Sequence, residues 1–242
     1  MIDRAGLMRT ALVVYLGLTA AALLIAWIAG VDLRPLLRFE LWQFAIGVAA
    51  VVPMSIVFFV APDLKDHVVD LLGRTLAECR LFDLVLLAAM AGIAEELVFR
   101  GALEGWLRHY ELVAAIVITN LLFGAMHPIT VGYFLMAAGF GVYFSLLATL
   151  GPERNLTAPI TAHAVYDFLG FLLVARDYRK TQVTTTIDRV ASPGSLLPTQ
   201  AATTSVEAGS VDNGVRQSPA PPDCPPSLPS PETPPPPSAT PT

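Results

Sequence analysis

Charge is what this chain has least of. Only 14% of its 242 residues are Asp, Glu, Lys or Arg, where a soluble domain of this length carries about 25%. The shortfall comes from long apolar stretches such as Ala11–Val31, which approach the ~20 residues needed to cross a bilayer. Cysteine is scarce as well. Cys79 and Cys224 stand far apart in unlike surroundings, which argues against a structural disulfide, and there is no Cys-x-x-Cys metal motif. Basic runs and aromatic–basic interleaving are missing, so nucleic acid is not an expected partner, and a net charge of −5 adds nothing about others. The apolar–polar alternation of barrel strands is missing too. The stretches are rich in Leu, Ala and Val, which suits helices.

What is present is hydrophobicity, 54% of residues with a mean hydropathy of +0.60. The sequence therefore predicts an all-α, polytopic transmembrane bundle of about six spans: Ala11–Val31, Leu41–Ala61, Leu84–Gly101, Leu112–His127, Thr130–Leu150 and Leu156–Ala175. Arg4 and Arg9 precede the first as in a signal peptide, but its length and the spans behind it favour a retained helix. Asp63–Arg80 places Leu64, Val68, Leu71, Leu72 and Leu76 at helical spacing. It reads as an amphipathic helix, either lying on the membrane surface or packed against the bundle end. From about Thr181 Ser, Thr, Ala and Pro take over, ending in Pro234 to Pro237. That composition predicts a disordered tail, whose partner, if any, is unknown. Three regions follow: residues 1–81, with two spans and the amphipathic helix; 82–178, the four-span core; and 179–242, the tail. With both termini in the cytoplasm of a cell membrane, Arg4, Arg9, Lys65, Arg74, Arg80, Arg176, Arg179 and Lys180 fall inside. Arg34, Arg38, Arg108 and Arg154 fall outside, a bias in the expected direction.

Ionisable groups inside apolar spans are expensive and mark function by default. Span three holds Glu95-Glu96-x-x-x-Arg100. Glu96 and Arg100 are four apart on a helix and share a face, so they can neutralise each other. Glu95 sits about 100° around the helix and is free to face a cavity. Span four ends in Phe123-x-x-x-His127 and span six holds His163-x-x-x-Asp167, each an i, i+4 pair. Taken singly, each has a bland reading: a buried ion pair, a helix-end histidine, a self-satisfied polar pair.

Depth makes them converge. If spans three and four turn near Tyr110, Glu95 lies 15 residues before that turn and His127 17 after it, roughly 22 and 25 Å from one membrane face. His163 and Asp167 follow the turn near Glu153 by 10 and 14 residues, or about 15 and 21 Å from the same face. Glu95, His127, His163 and Asp167 can therefore share one layer.

A carboxylate and an imidazole flanking a water can act as base and proton shuttle for amide hydrolysis, and a second imidazole could stabilise the oxyanion. Glu95, His127 and His163 could instead hold a zinc ion that activates the water. His-Glu-x-x-His is absent, and both routes stay open. Ser145 has no evident base.

The three motifs together resemble the signature of the CPBP family, the CAAX-prenyl endopeptidases and bacteriocin-processing or immunity proteins, over residues 82–175. The resemblance implies an intramembrane endopeptidase of glutamic or metal-dependent type acting on a membrane-embedded or lipidated peptide within the lipid bilayer. It implies that Glu95 and His127 activate water, that His163 and Asp167 line the oxyanion side, and that Glu96 and Arg100 support them. Relatives often carry Asn at the position of Asp167. A non-catalytic immunity or scaffold protein of the same fold, or an ion-coupled transporter, are the alternatives. The lack of a repeated half speaks against the transporter.

Overall fold

The computed structural model describes residues 3–56 and 62–191, and every regular element among them is helical. Helix α1 (Arg4–Ala29) starts where the Asp3 carboxylate accepts from Gly6 N–H. It stops at Gly30, whose φ of 67° favours glycine and lets its N–H close on the carbonyls of Ala26 and Trp27. A single 3₁₀ turn (Pro35–Leu37) leads to α2 (Leu41–Ser55), and α3 (Pro62–Glu78) follows. Helix α4 (Leu81–Glu96) continues without a break into a π-helical segment (Leu97–Leu103) and then α5 (Glu104–Leu107). Helix α6 (Leu112–Ala125) is capped by the Glu111 carboxylate, and α7 (Val131–Leu147) by the Thr130 hydroxyl. The last helix, α8 (Thr157–Ala191), is the longest.

Helix α8 is the mast on which α2, α3 and α4 pack. Two glycines set how closely. A Cβ on Gly47 would come within 2.6 Å of the Ala158 carbonyl and of Thr161 Cβ. One on Gly92 would come within 3.0 Å of Ala164 Cβ and the Ile160 carbonyl. The second contact lies one turn before Glu95 and Glu96, so it brings both glutamates to the face of α8 that carries His163. The larger core runs from Ala22 and Ala26 on α1 through Phe99, Phe123 and Phe144 to Leu156, Ala158 and Ala162. A smaller one joins Leu76, Leu84 and Leu87 to Val174 and Ala175. Outside these cores lies a wide exposed apolar surface. It includes Leu16, Leu23, Trp27 and Ile28 on α1 and Val113, Val117 and Leu121 on α6.

The apolar stretches of the sequence fall in helices wherever they are described. Two helices, Arg4–Ala29 and Thr157–Thr184, are long and apolar enough to cross a membrane, while α2, α6 and α7 are shorter apolar helices. Two boundaries differ from expectation. The rod expected over 84–101 runs on to Leu107, because Gly101 sits inside the π segment instead of ending it. The final helix runs to Ala191, past the start expected for the tail, since Thr181–Ala191 holds neither proline nor glycine to stop it. Residues 192–242, which carry the rest of the expected tail, and 57–61, the end of the second expected span, lie outside the described residues. Helix α3 packs on α8. Val68, Leu72 and Leu76 face the bundle, Lys65 pairs with Asp177 at 3.0 Å, and Ala77 O accepts from Arg179 at 2.7 Å. Leu71 is left on the outside.

Candidate active site

Three elements bring the expected site residues together. Glu95 and Glu96 end α4, His127 follows α6, and His163 and Asp167 sit one turn apart on α8. His127 Nδ1 lies 2.9 Å from the Phe123 carbonyl, which turns Nε2 towards Glu95. Glu95 Oε2 stands 4.0 Å from that Nε2 and 3.9 Å from His163 Nε2. Among the described residues this buried oxygen has no hydrogen-bond partner. His163 Nε2 also faces Asp167 Oδ2 at 3.5 Å, while its Nδ1 bonds Glu96 Oε1 at 2.9 Å. The His163 ring lies flat on Phe144, 5.0 Å between centroids and 12° between planes, with the edge of Phe123 against it at 5.9 Å.

Glu96 and Arg100 are fully buried and paired, Arg100 Nη1 donating to Glu96 Oε1 at 3.0 Å. The guanidinium is enclosed by Phe123, Phe144 and Phe99, at 4.3, 5.4 and 5.9 Å from the ring centroids. Phe123 thus serves both halves of the centre, backing the guanidinium and bracing both imidazoles. The pairing expected from helical spacing holds even though the helix changes to i→i+5 bonding directly after Glu96, with Glu104 N–H donating to the Phe99 carbonyl. Such segments concentrate at functional sites.

Sequence reasoning missed the continuation of this network. Arg100 Nη2 donates to Asn120 Oδ1 at 2.9 Å, and Asn120 Nδ2 donates to Ser145 Oγ at 3.0 Å. Ser145 Oγ donates to Glu104 Oε2 at 2.6 Å. Glu104 Oε1 accepts from Arg108 Nε at 2.9 Å and from Arg154 Nη2 at 3.1 Å, and Arg154 also bonds the Arg100 carbonyl at 2.7 Å. The signal was there. Glu96, Arg100, Glu104 and Arg108 recur every fourth residue with alternating sign, but a span ended at Gly101 leaves Glu104 in a loop.

A cavity of about 40 Å³, room for roughly one or two waters, opens beside the centre. Phe123, His127, Tyr133, Phe140, His163 and Asp167 are among its walls. Among the described residues no three of His, Cys, Asp and Glu are grouped as a metal site. The ring nitrogens stand 3.9 and 4.0 Å from Glu95 Oε2, wider than the ~3.4 Å separation of tetrahedral ligands each ~2.1 Å from a zinc ion. The donor set expected for zinc is thus present in kind but spread too far in this geometry.

The helices thus carry three carboxylates, of Glu95, Glu96 and Asp167, and the imidazoles of His127 and His163 to one enclosed point. Residues 77–169 match the Rce1-like family, described as type II CAAX prenyl endopeptidase Rce1-like. That segment is an Rce1-like domain, in agreement with the resemblance carried by the three motifs. No curated protein and no solved structure matches the chain.

Proposed function

We propose that this chain is a multi-pass membrane endopeptidase that hydrolyses a peptide bond in a membrane-associated, lipidated CAAX-type protein or peptide. The observation that carries the reading is Glu95 Oε2, buried and facing Nε2 of both His127 and His163 at 4.0 and 3.9 Å. Those separations are too long for direct hydrogen bonds and short enough for one water to bond both groups. In this reading Glu95, oriented with His127, takes a proton from that water as its oxygen attacks the scissile carbonyl carbon. His163, its ring aligned by Asp167, faces the carbonyl oxygen and supplies the Nε2–H that the tetrahedral oxyanion accepts. When the C–N bond breaks, the proton held by Glu95 passes to the leaving amine. Water has then been added across the amide, OH to carbon and H to nitrogen.

Membrane embedding is supported by the two long apolar helices and the exposed apolar surface. In this reading α6, whose 14 residues cover only ~21 Å of a ~30 Å hydrocarbon core, ends inside the layer. A helix that stops short leaves its last turn, with His127, at the depth of Glu95. Irregular backbone at that depth is tolerated where it lines a wet cavity.

The test is cleavage of a lipidated C-terminal peptide by the purified protein in lipid. Glu95→Ala and Glu95→Gln should each lose at least about 10²-fold in rate. Cleavage by these variants at the wild-type rate would remove Glu95 from the chemistry, and no cleavage of any candidate substrate would favour a scaffold protein. Activity that survives exhaustive chelation would exclude zinc as the activator, whereas activity lost and restored by zinc would replace the direct route.

A further inference from the structure

Asn120, Ser145 and Glu104 are at most 1% exposed, and water activation at Glu95 makes no use of them. Their chemistry dictates a direction for each bond between them. Glu104 accepts from two arginines, so its carboxylate is ionised and can only accept. The single Ser145 proton goes to Glu104 Oε2 at 2.6 Å, closer than the Gly141 carbonyl at 3.2 Å, which leaves a Ser145 lone pair for Asn120 Nδ2. With its NH₂ held there and on the Ile116 carbonyl at 2.8 Å, Asn120 must turn Oδ1 to Arg100 Nη2. Held from that side, Arg100 meets Glu96 end-on through Nη1 alone. Among the described residues Arg100 Nε and Glu96 Oε2 have no hydrogen-bond partner. Glu96 Oε1 then remains available to His163 Nδ1. Without the Asn120 acceptor, Arg100 would be free to turn into the two-pronged pairing that guanidinium and carboxylate prefer. It would then compete with His163 for Glu96.

We propose that Glu104, Ser145 and Asn120 are positioning residues for His163. By fixing the donor–acceptor sense of the relay through Arg100 and Glu96, they hold one His163 N–H, at Nδ1, on Glu96 and so direct the second, Nε2–H, into the site. The catalytic consequence rests on the role given to His163 above; the effect on its Nδ1–H bond to Glu96 does not.

The test uses the full chain in lipid, labelled with ¹⁵N-histidine. It contains four histidines, and the His163 signals are assigned by their loss in His163→Gln. Wild type should show Nδ1 of His163 as a hydrogen-bonded N–H. In Glu104→Gln the new amide can donate to Ser145, freeing the hydroxyl to donate to Asn120 and letting that amide turn over. The Nδ1–H signal should then weaken or split. With substrate, kcat should fall about tenfold or more while KM stays within about twofold. Adding Asn120→Asp, which can accept from Arg100 and Ser145 together, should restore the signal and most of kcat. If Glu104→Gln does not fold, Ser145→Ala should give the same spectral change. A wild-type His163 spectrum in these variants overturns the proposal, as does a loss of kcat with no spectral change. If wild type cleaves nothing, the peptidase reading fails and the His163 spectrum alone decides the relay.

Discussion

A guanidinium cut off from solvent, as in Arg100, is tolerated only when its charge and its donors are answered. Here the answers are a carboxylate, an amide oxygen and three aromatic rings. Space around it is as constrained as charge. A Cβ on Gly141 of α7 would fall on Asn120 Oδ1 and 2.8 Å from Arg100 Nη2. Gly141→Ala should therefore lower stability by about 1–3 kcal/mol and reduce activity with it, read as a lower unfolding midpoint in detergent and a slower cleavage rate. An unchanged midpoint would mean that the guanidinium pocket yields more easily than its contacts imply. The ionisable residues of the candidate site stood out in the sequence because each lies in an apolar context, where little else explains it. Asn120 was not legible. A neutral amide in a span carries no mark until its partners are seen. Asp167, 3.5 Å from His163 Nε2, orients that ring when ionised, and only in its protonated form could it donate to an oxyanion.

At the scale of single elements, the π segment explains why Glu104 escaped the sequence reading. Helix periodicity suggests where a span should end by length, and ~20 residues from Leu84 falls near Gly101. The chain carries on as one rod to Leu107, and the Arg154 side chain, bonded to the Arg100 carbonyl and to Glu104, ties that extension to the loop before α8. At its other end the rod is anchored to α1. Arg4 grips Asp83 with both prongs, at 2.6 and 2.7 Å, and Arg80 N–H adds a third bond at 2.7 Å. The Arg4 guanidinium first, and the Arg80 N–H after it, hold the Asp83 carboxyl at about 2, below its ordinary 3.8. A carboxyl depressed by folding adds stability that is complete above its unfolded pKa. That stability is lost as pH falls through the folded value. The unfolding midpoint should drop between about pH 4 and pH 2, and Asp83→Asn should lower it at neutral pH while flattening that part of the profile. A profile with the same slope in both proteins would place the acid sensitivity elsewhere.

Across the whole molecule, charge collects at two ends. One gathers Arg4 with Asp83, Lys65 with Asp177 and Arg179 with the Ala77 carbonyl. The other gathers Arg38 with Glu153, Asn155 with the Arg38 carbonyl, and Glu104 with Arg108 and Arg154. This is the division that the loop charges suggest, and the richer basic end should lie in the cytoplasm. Single cysteines E153C and R176C, in a chain with Cys79→Ala and Cys224→Ser, test it. An impermeant thiol reagent should label position 153 on intact cells and position 176 only after permeabilisation; the reverse pattern would invert the topology. Element order and the alternation of ends could be read from hydropathy and turns. The close approach of α2 and α4 to α8 could not, because a glycine in an apolar run looks the same whether it faces a neighbouring helix or nothing.

The stack of His163 on Phe144 has a consequence for how the centre behaves with temperature. The ring is clamped by a parallel aromatic face, a perpendicular edge and an acidic oxygen at each nitrogen. It cannot turn over without parting from all of them. The disorder that a free imidazole would have to surrender on meeting substrate has already been surrendered in folding. The barrier to reaction should then be made mostly of enthalpy, and smoothing the clamp, for instance by Phe144→Leu, should surface chiefly as a more unfavourable activation entropy.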